Sequence, residues 1–185
     1  MVHFLRYISQ LVMSPSHGWE DIAARSEKPA EIARNGFYPL LGLTACSVFA
    51  KLFYGGIRLN PFSLLIEEAV VTFVMFFAGY FFASFCWSVF AGRFSAKTEA
   101  TEKKQDTFII YNLSLLAIIQ IIENVLPISL SLVQFLPLFI LVVIWAGHTY
   151  VCVRPQSMLI FMVFAVLTIL VPPYAIFYIF MTFLQ

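Results

Sequence analysis

The sequence predicts an all-α, polytopic membrane protein: a bundle of five transmembrane helices behind a short N-terminal arm. Three observations lead there. Residues of the AVILMFWYC set make up 61% of the 185 and charged residues 11%, whereas about a quarter of a soluble domain is charged. The apolar residues gather into five long segments, each near the roughly 20 residues that cross a bilayer. Most charges gather in positions 1–36 and in short links. The net charge of +1 gives no reason to expect a nucleic-acid partner. In a bilayer protein the placement of charges matters more than their sum.

The arm, 1–36, opens on MVHFLRYISQLVM. Arg6, Ser9 and Gln10 interrupt its apolar pieces, so it does not read as a cleavable signal. Phe4, Ile8, Leu11 and Val12 share one face of a helix, with Arg6 and Gln10 elsewhere. Such a helix is expected to lie in the interface. Pro15 and Gly18 break it, and Trp19 is expected to anchor the next segment at headgroup depth, where Trp and Tyr are enriched.

The membrane domain, 37–185, places spans at about 37–54, 62–91, 107–125, 132–151 and 157–184. Lys51 lies inside the first. The second and fifth exceed the needed length, so tilt or a kink is expected. Gly79 and Ala83 in the second form a small-xxx-small pair, which lets backbones approach within a bundle or between copies. Gly42 and Ala45 are read the same way in the first. Pro172 and Pro173 remove backbone donors from the fifth. They are expected to break or kink it near its middle, as a hinge or as a static bend. Cys46, Cys86 and Cys152 have no zinc-site spacing and read as small buried apolar residues.

Charge placement predicts orientation. Arg6, Arg25, Lys28 and Arg34 lie in the arm, Arg93, Lys97, Lys103 and Lys104 in the link after the second span, and Arg154 in the link after the fourth. Only Lys51 and Arg58 fall on the alternate side. The positive-inside bias makes the nine-residue side cytoplasmic. Five spans then put the C-terminus, Gln185, on the opposite side. Trp87 and Trp145 fall toward the cytoplasmic ends of spans two and four, and Tyr54 toward the outer end of span one.

Two polar constellations stand out. Lys51, Glu67, Glu68, Gln120, Glu123 and Asn124 gather at the outer ends of the first three spans. An ionisable group inside a span needs a partner, so Lys51 is expected to pair with Glu123, Glu67 or Glu68. The group reads as an ion or proton site, or as an ion-pair network that pins helix ends. Toward the cytoplasmic side, Asn112 is expected to meet His148, as interhelical glue or as part of a proton relay. There is no GxxxxGK[ST], GxGxxG or HExxH motif. No catalytic set, metal site or cofactor is read from the sequence.

Several segments resemble the Ypt/Rab-interacting (Yip) family of five-span membrane proteins in its short bacterial form. MSPSHGWEDI carries Pro15, Trp19 and Ile22 in a Pro-x-x-x-Trp-x-x-Ile spacing. YNLSLLAIIQIIENVLP carries Tyr111, Ser114 and a helix-ending Pro127. A fourth span closing in a Trp and Tyr region leads to a last span that contains proline. The resemblance covers nearly the whole chain in pattern. It implies an N-cytoplasmic, five-helix adaptor or scaffold. The eukaryotic members have a long cytosolic N-terminal region with acidic and Tyr-Gly-Pro elements. This arm is too short to hold it, which argues against a Rab-type GTPase partner.

The expected function is therefore a non-enzymatic adaptor that organises protein partners or lipids in the bilayer, alone or as a homo-oligomer. The expected location is the bacterial cytoplasmic membrane. The arm and the basic link at Lys97, Lys103 and Lys104 would be its contact surface, with anionic headgroups attracting such charges by about 1 kcal/mol each. The alternative is a transporter or channel component, with Glu123, Gln120, Asn112 and His148 as a polar path and Pro172–Pro173 as a hinge.

Overall fold

The computed structural model describes residues 1–54, 61–95, 99–126 and 136–183. Arg58, Lys97, Pro127, the start of the predicted fourth span and the terminal Leu184–Gln185 lie outside them. Helix α1 spans Val2–Met13 and α2 spans Pro15–Arg25. Pro15 starts α2 because its fixed φ suits a first helical position and its missing N–H would be unpaired there anyway. Ser26 stops α2 in the left-handed region, at φ 49°. The two helices cross closely at Gly18, where a Cβ would come within 2.9 Å of Leu11.

Helix α3 is a 25-residue run, Pro29–Phe53, and so begins within the predicted arm. It is α-helical over Pro29–Ile32 and Tyr38–Ser47, with a π-turn at Ala33–Phe37 and a 3-10 ending at Val48–Phe53. Helix α4 covers Pro61–Phe90, α5 covers Glu99–Val125 and α6 covers Leu136–Ala146. The last run, α7, extends over Pro155–Phe183 with a π-turn at Val166–Leu170. Four of these, α3, α4, α5 and α7, are long and apolar enough to cross a membrane. No strand occurs among the described residues.

The span predicted to run to Val151 stops as a helix at Ala146. Positions 147–152 are turns, and the described helix has 11 residues. Gly147 marks the stop: Phe108 would lie 2.4 Å from a Cβ there and Trp19 3.0 Å. Both cysteines expected to be buried at Cys46 and Cys152 are exposed.

The core is built around α5. Its most apolar window is 67% buried, against 39% or less in the other three long helices, so α5 is the central helix. Helix α4 runs antiparallel to it, with Ser84 meeting Asp106. Helix α7 runs parallel to α5, with Phe161 against Phe108 at 5.9 Å. On α4, Ala83 is fully buried and Gly79 faces Pro173, which would lie 3.1 Å from a Cβ. The small-residue pair is thus used inside the bundle. Gly42, by contrast, has open space beside it within the chain, while Ala45 packs against Val48, Leu65 and Ala69.

The two prolines of α7 do not end the helix. The π-turn ahead of them lets the Val171 N–H bond Val166 five residues back, which shifts the backbone register where Pro172 and Pro173 lack donors. The same device occurs in α3, where Tyr38 bonds Ala33 just ahead of Pro39.

Candidate functional site

The arm closes one end of the bundle. Trp19, on α2, is the plug and is 2% exposed. Its ring stacks on Phe108 and on Tyr150, each at 5.1 Å, and meets Tyr111 edge-on at 6.2 Å. Its indole N–H donates to the Val143 carbonyl at 3.0 Å. That carbonyl also accepts the Gly147 N–H, at 3.0 Å, so the indole uses its second lone pair. The headgroup anchor expected at Trp19 is therefore a core residue, and the reason is non-local. The turn at 147–152 folds back to bring Tyr150 onto the indole.

Helix α1 packs on the same end. Phe4 stacks on Tyr111 at 5.2 Å, and Phe4, Ile8 and Leu11 are buried. Val12 is exposed, along with Leu5 and Met13. The bundle thus covers only part of the apolar arc of α1. Beside it, Arg25 donates to the Tyr7 hydroxyl at 3.3 Å and pairs with Glu27 at 2.6 Å. The Tyr7 hydroxyl raises the Arg25 guanidinium above its ordinary value, desolvation opposes it, and the Glu27 charge adds a smaller upward push. Burial pushes the Tyr150 phenol up to about 12, partly offset by a hydrogen bond with Thr107.

The opposite end holds the first polar constellation. Lys51 pairs with Glu68, and the side chains are 33% and 17% exposed. Glu123 stands within electrostatic reach of Lys51. The Tyr54 hydroxyl donates to the Asn124 carbonyl, the Asn124 amide donates to Ser47 at 2.9 Å, and Gln120 donates to Asn124 at 3.4 Å. Helices α3, α4 and α5 are tied together here. Glu67 is half-buried and takes no part in these bonds.

Asn112 and His148 do not meet. The Asn112 amide donates to Phe108 on its own helix at 2.8 Å, and its Oδ1 is buried without a partner among the described residues. His148 is at 2.6 Å from the Trp145 carbonyl, at the exposed side of the turn. Trp87, read as an interface marker, is 1% exposed and donates to Thr168 in the α7 π-turn at 2.9 Å.

Asp106 faces the bundle from within α5 although it reads as the end of a charged link. Its carboxylate accepts from Ser84 at 2.8 Å. The signal was present: Ile110, Leu113 and Ala117 are fully buried, and continuing their 3–4 spacing backward reaches position 106. Among the described residues no group of His, Cys, Asp and Glu is arranged to hold a metal ion. No known family's profile matches the chain, no curated protein matches it, and no solved structure matches its fold.

Proposed function

We propose that the protein is a non-enzymatic membrane adaptor whose docked arm is its contact surface. The observation that carries this reading is the arm itself. Trp19 and Phe4 fix it to the bundle, so α2 is held as a rigid platform. The outward face of that platform, at Glu20, Asp21, Ala23 and Ala24, is exposed. A rigid, pre-ordered surface loses less entropy on capturing a partner than a free tail would. The Yip-family resemblance implies the same class. The basic residues favour a cytoplasmic arm.

The proposed topology has five crossings. Helices α5 and α7 are parallel, so the chain between Val125 and Pro155 returns from one end of the bundle to the other. Trp19 at Val143 puts the end of α6 on the arm side. In this reading that return is the fifth pass, and the end of α7 lies opposite the arm.

Of the residues of the rival transport path, Gln120 donates to Asn124, Asn112 donates to Phe108 on its own helix and His148 lies against the Trp145 carbonyl, so these side chains bond locally. Capture from native membranes extracted into lipid nanodiscs tests the adaptor reading. Deleting the arm would remove Trp19 from the core, so the informative variant is Glu20→Arg with Ala24→Arg, which changes only exposed positions. A stoichiometric partner present with the native chain and lost with this variant supports the reading. Capture that is unchanged, or no partner at all, counts against it and makes flux in sealed vesicles the next assay.

A further inference from the structure

A cleft of ≈ 170 Å³ lies between the arm and the first long helix, lined among others by Phe4, Arg25, Glu27, Glu31, Asn35 and Gly36. Its back wall is fixed by close packing. A Cβ on Gly36 would come within 2.4 Å of the Phe4 ring, and Phe4 is held in turn by Tyr111. The wall is therefore part of the core and the mouth is part of the surface.

The charges in the cleft are mixed and incompletely used. Arg25 commits Nε to Glu27 and Nη1 to Tyr7. A guanidinium has five N–H donors, and no acceptor among the described residues is assigned to Nη2. Glu31 has only a loose cation, Lys28 at 4.0 Å, and both side chains are largely exposed. A purely anionic ligand would face two carboxylates, and a purely cationic one would face the guanidinium, with Met1 and the His3 imidazole also in the lining. A ligand with both charges a short distance apart satisfies all three groups.

Depth narrows the choice. Asn35 and Gly36 lie six and seven residues past Pro29, about 10 Å along the helix axis. For a helix that enters the bilayer at its Pro29 end, this is the region of the headgroups and the edge of the hydrocarbon core. Met1, just ahead of α1, lines the cleft and is exposed, so an apolar lip adjoins the polar cavity where α1 begins.

We propose that this cleft binds the headgroup of a phospholipid that carries both a phosphate and a primary ammonium. The phosphate sits on Arg25 and the ammonium on Glu31 and Glu27, with the acyl chains leaving over the apolar lip of α1. A primary ammonium donates hydrogen bonds to carboxylates, which a quaternary one cannot. The site requires only that the chain sits in a bilayer and is independent of whether the arm captures a protein.

The test is lipid binding by the full chain in detergent, read by native mass spectrometry. Phosphatidylethanolamine, phosphatidylcholine and phosphatidylglycerol are titrated separately. The expected order is ethanolamine first, with glycerophosphoethanolamine competing and inorganic phosphate not competing. Glu31→Gln, at an exposed position that leaves the fold intact, should weaken ethanolamine-lipid binding about tenfold through loss of a charge-assisted bond and leave the glycerol lipid unaffected. Arg25→Gln should weaken all three. Equal or tighter binding of phosphatidylglycerol, or ethanolamine-lipid binding unchanged by Glu31→Gln, overturns the proposal. Competition by inorganic phosphate as strong as by glycerophosphoethanolamine overturns it too, since the site would then read phosphate alone.

Discussion

The Trp19 indole N–H and the Val143 carbonyl are 3.0 Å apart in space and 124 positions apart in sequence. This bond joins the arm to the end of α6, and three aromatic rings surround it. Trp19→Ala removes the ring stack together with the bond. The expected loss is about 3–5 kcal/mol, as for other buried aromatic truncations. Trp19→Phe keeps most of the stack and loses only the bond, at about 1 kcal/mol. Denaturant unfolding in mixed micelles separates the two. Equal stability of native and Trp19→Ala chains would show that the arm is not part of the core.

Gly147 has no room for a methyl group, with Phe108 at 2.4 Å and Trp19 at 3.0 Å from its would-be Cβ. Gly147→Ala should therefore push the arm off while leaving the long helices in place. Trypsin cutting after Arg25 reports this directly. The native chain is expected to resist cleavage there and the variant to be cut about tenfold faster, the ratio a loss of 1.4 kcal/mol of docking energy would give.

Lys51 sits between Glu68 and Glu123, and the ion pair forms with Glu68. A double-mutant cycle with Lys51→Met and Glu68→Gln should give a coupling of about 1 kcal/mol, in the range measured for polar contacts between membrane helices. The cycle with Glu123→Gln should give clearly less. The reverse order would mean that Glu123 is the true partner.

Tyr150 gives the arm a response to alkaline pH. Burial raises its phenol from 10.0 to about 12 in the folded chain. Below about pH 10 it is neutral in both folded and unfolded states, and its contribution is complete. As pH rises toward the folded value, only the unfolded phenol ionises, so stability falls. Unfolding measured at a series of pH values above neutrality should show this decline, and Tyr150→Phe should remove its share. An unchanged slope in the variant would show that Tyr150 does not titrate with folding.

The membrane helices were legible because a bilayer imposes a composition rule that acts along the chain. Any helix crossing the core must be apolar for about 20 consecutive residues. Ends were less legible. The start of α3 at Pro29 was hidden because Glu31 and Arg34 interrupt the apolar pattern without interrupting the helix. Asp106 was hidden for the same reason, since a helix that continues past the apolar stretch looks like a link.

Side-chain roles were legible only where alternatives were few. Lys51 needed a carboxylate, and three were in range by sequence. Trp19 and Trp87 carry the same local signature whether they face headgroups or a core, because an indole suits both. Asn112 and His148 fall at similar depth on neighbouring segments, yet the Asn112 amide nitrogen and the His148 ring each bond a carbonyl of their own segment, and the Asn112 Oδ1 has no partner among the described residues.

What the sequence determined by itself is the class of the molecule: apolar helices, a polar arm and an uneven distribution of basic residues. These follow from chemistry each segment carries alone. What only the tertiary structure decided is which surfaces are spent on packing and which remain. The arm became a cap because Trp19, Phe108, Tyr150 and Gly147, distant along the chain, close on one another. Its cleft exists because Gly36 leaves room for Phe4. Such facts depend on pairs of residues meeting in three dimensions, and no local pattern encodes the meeting.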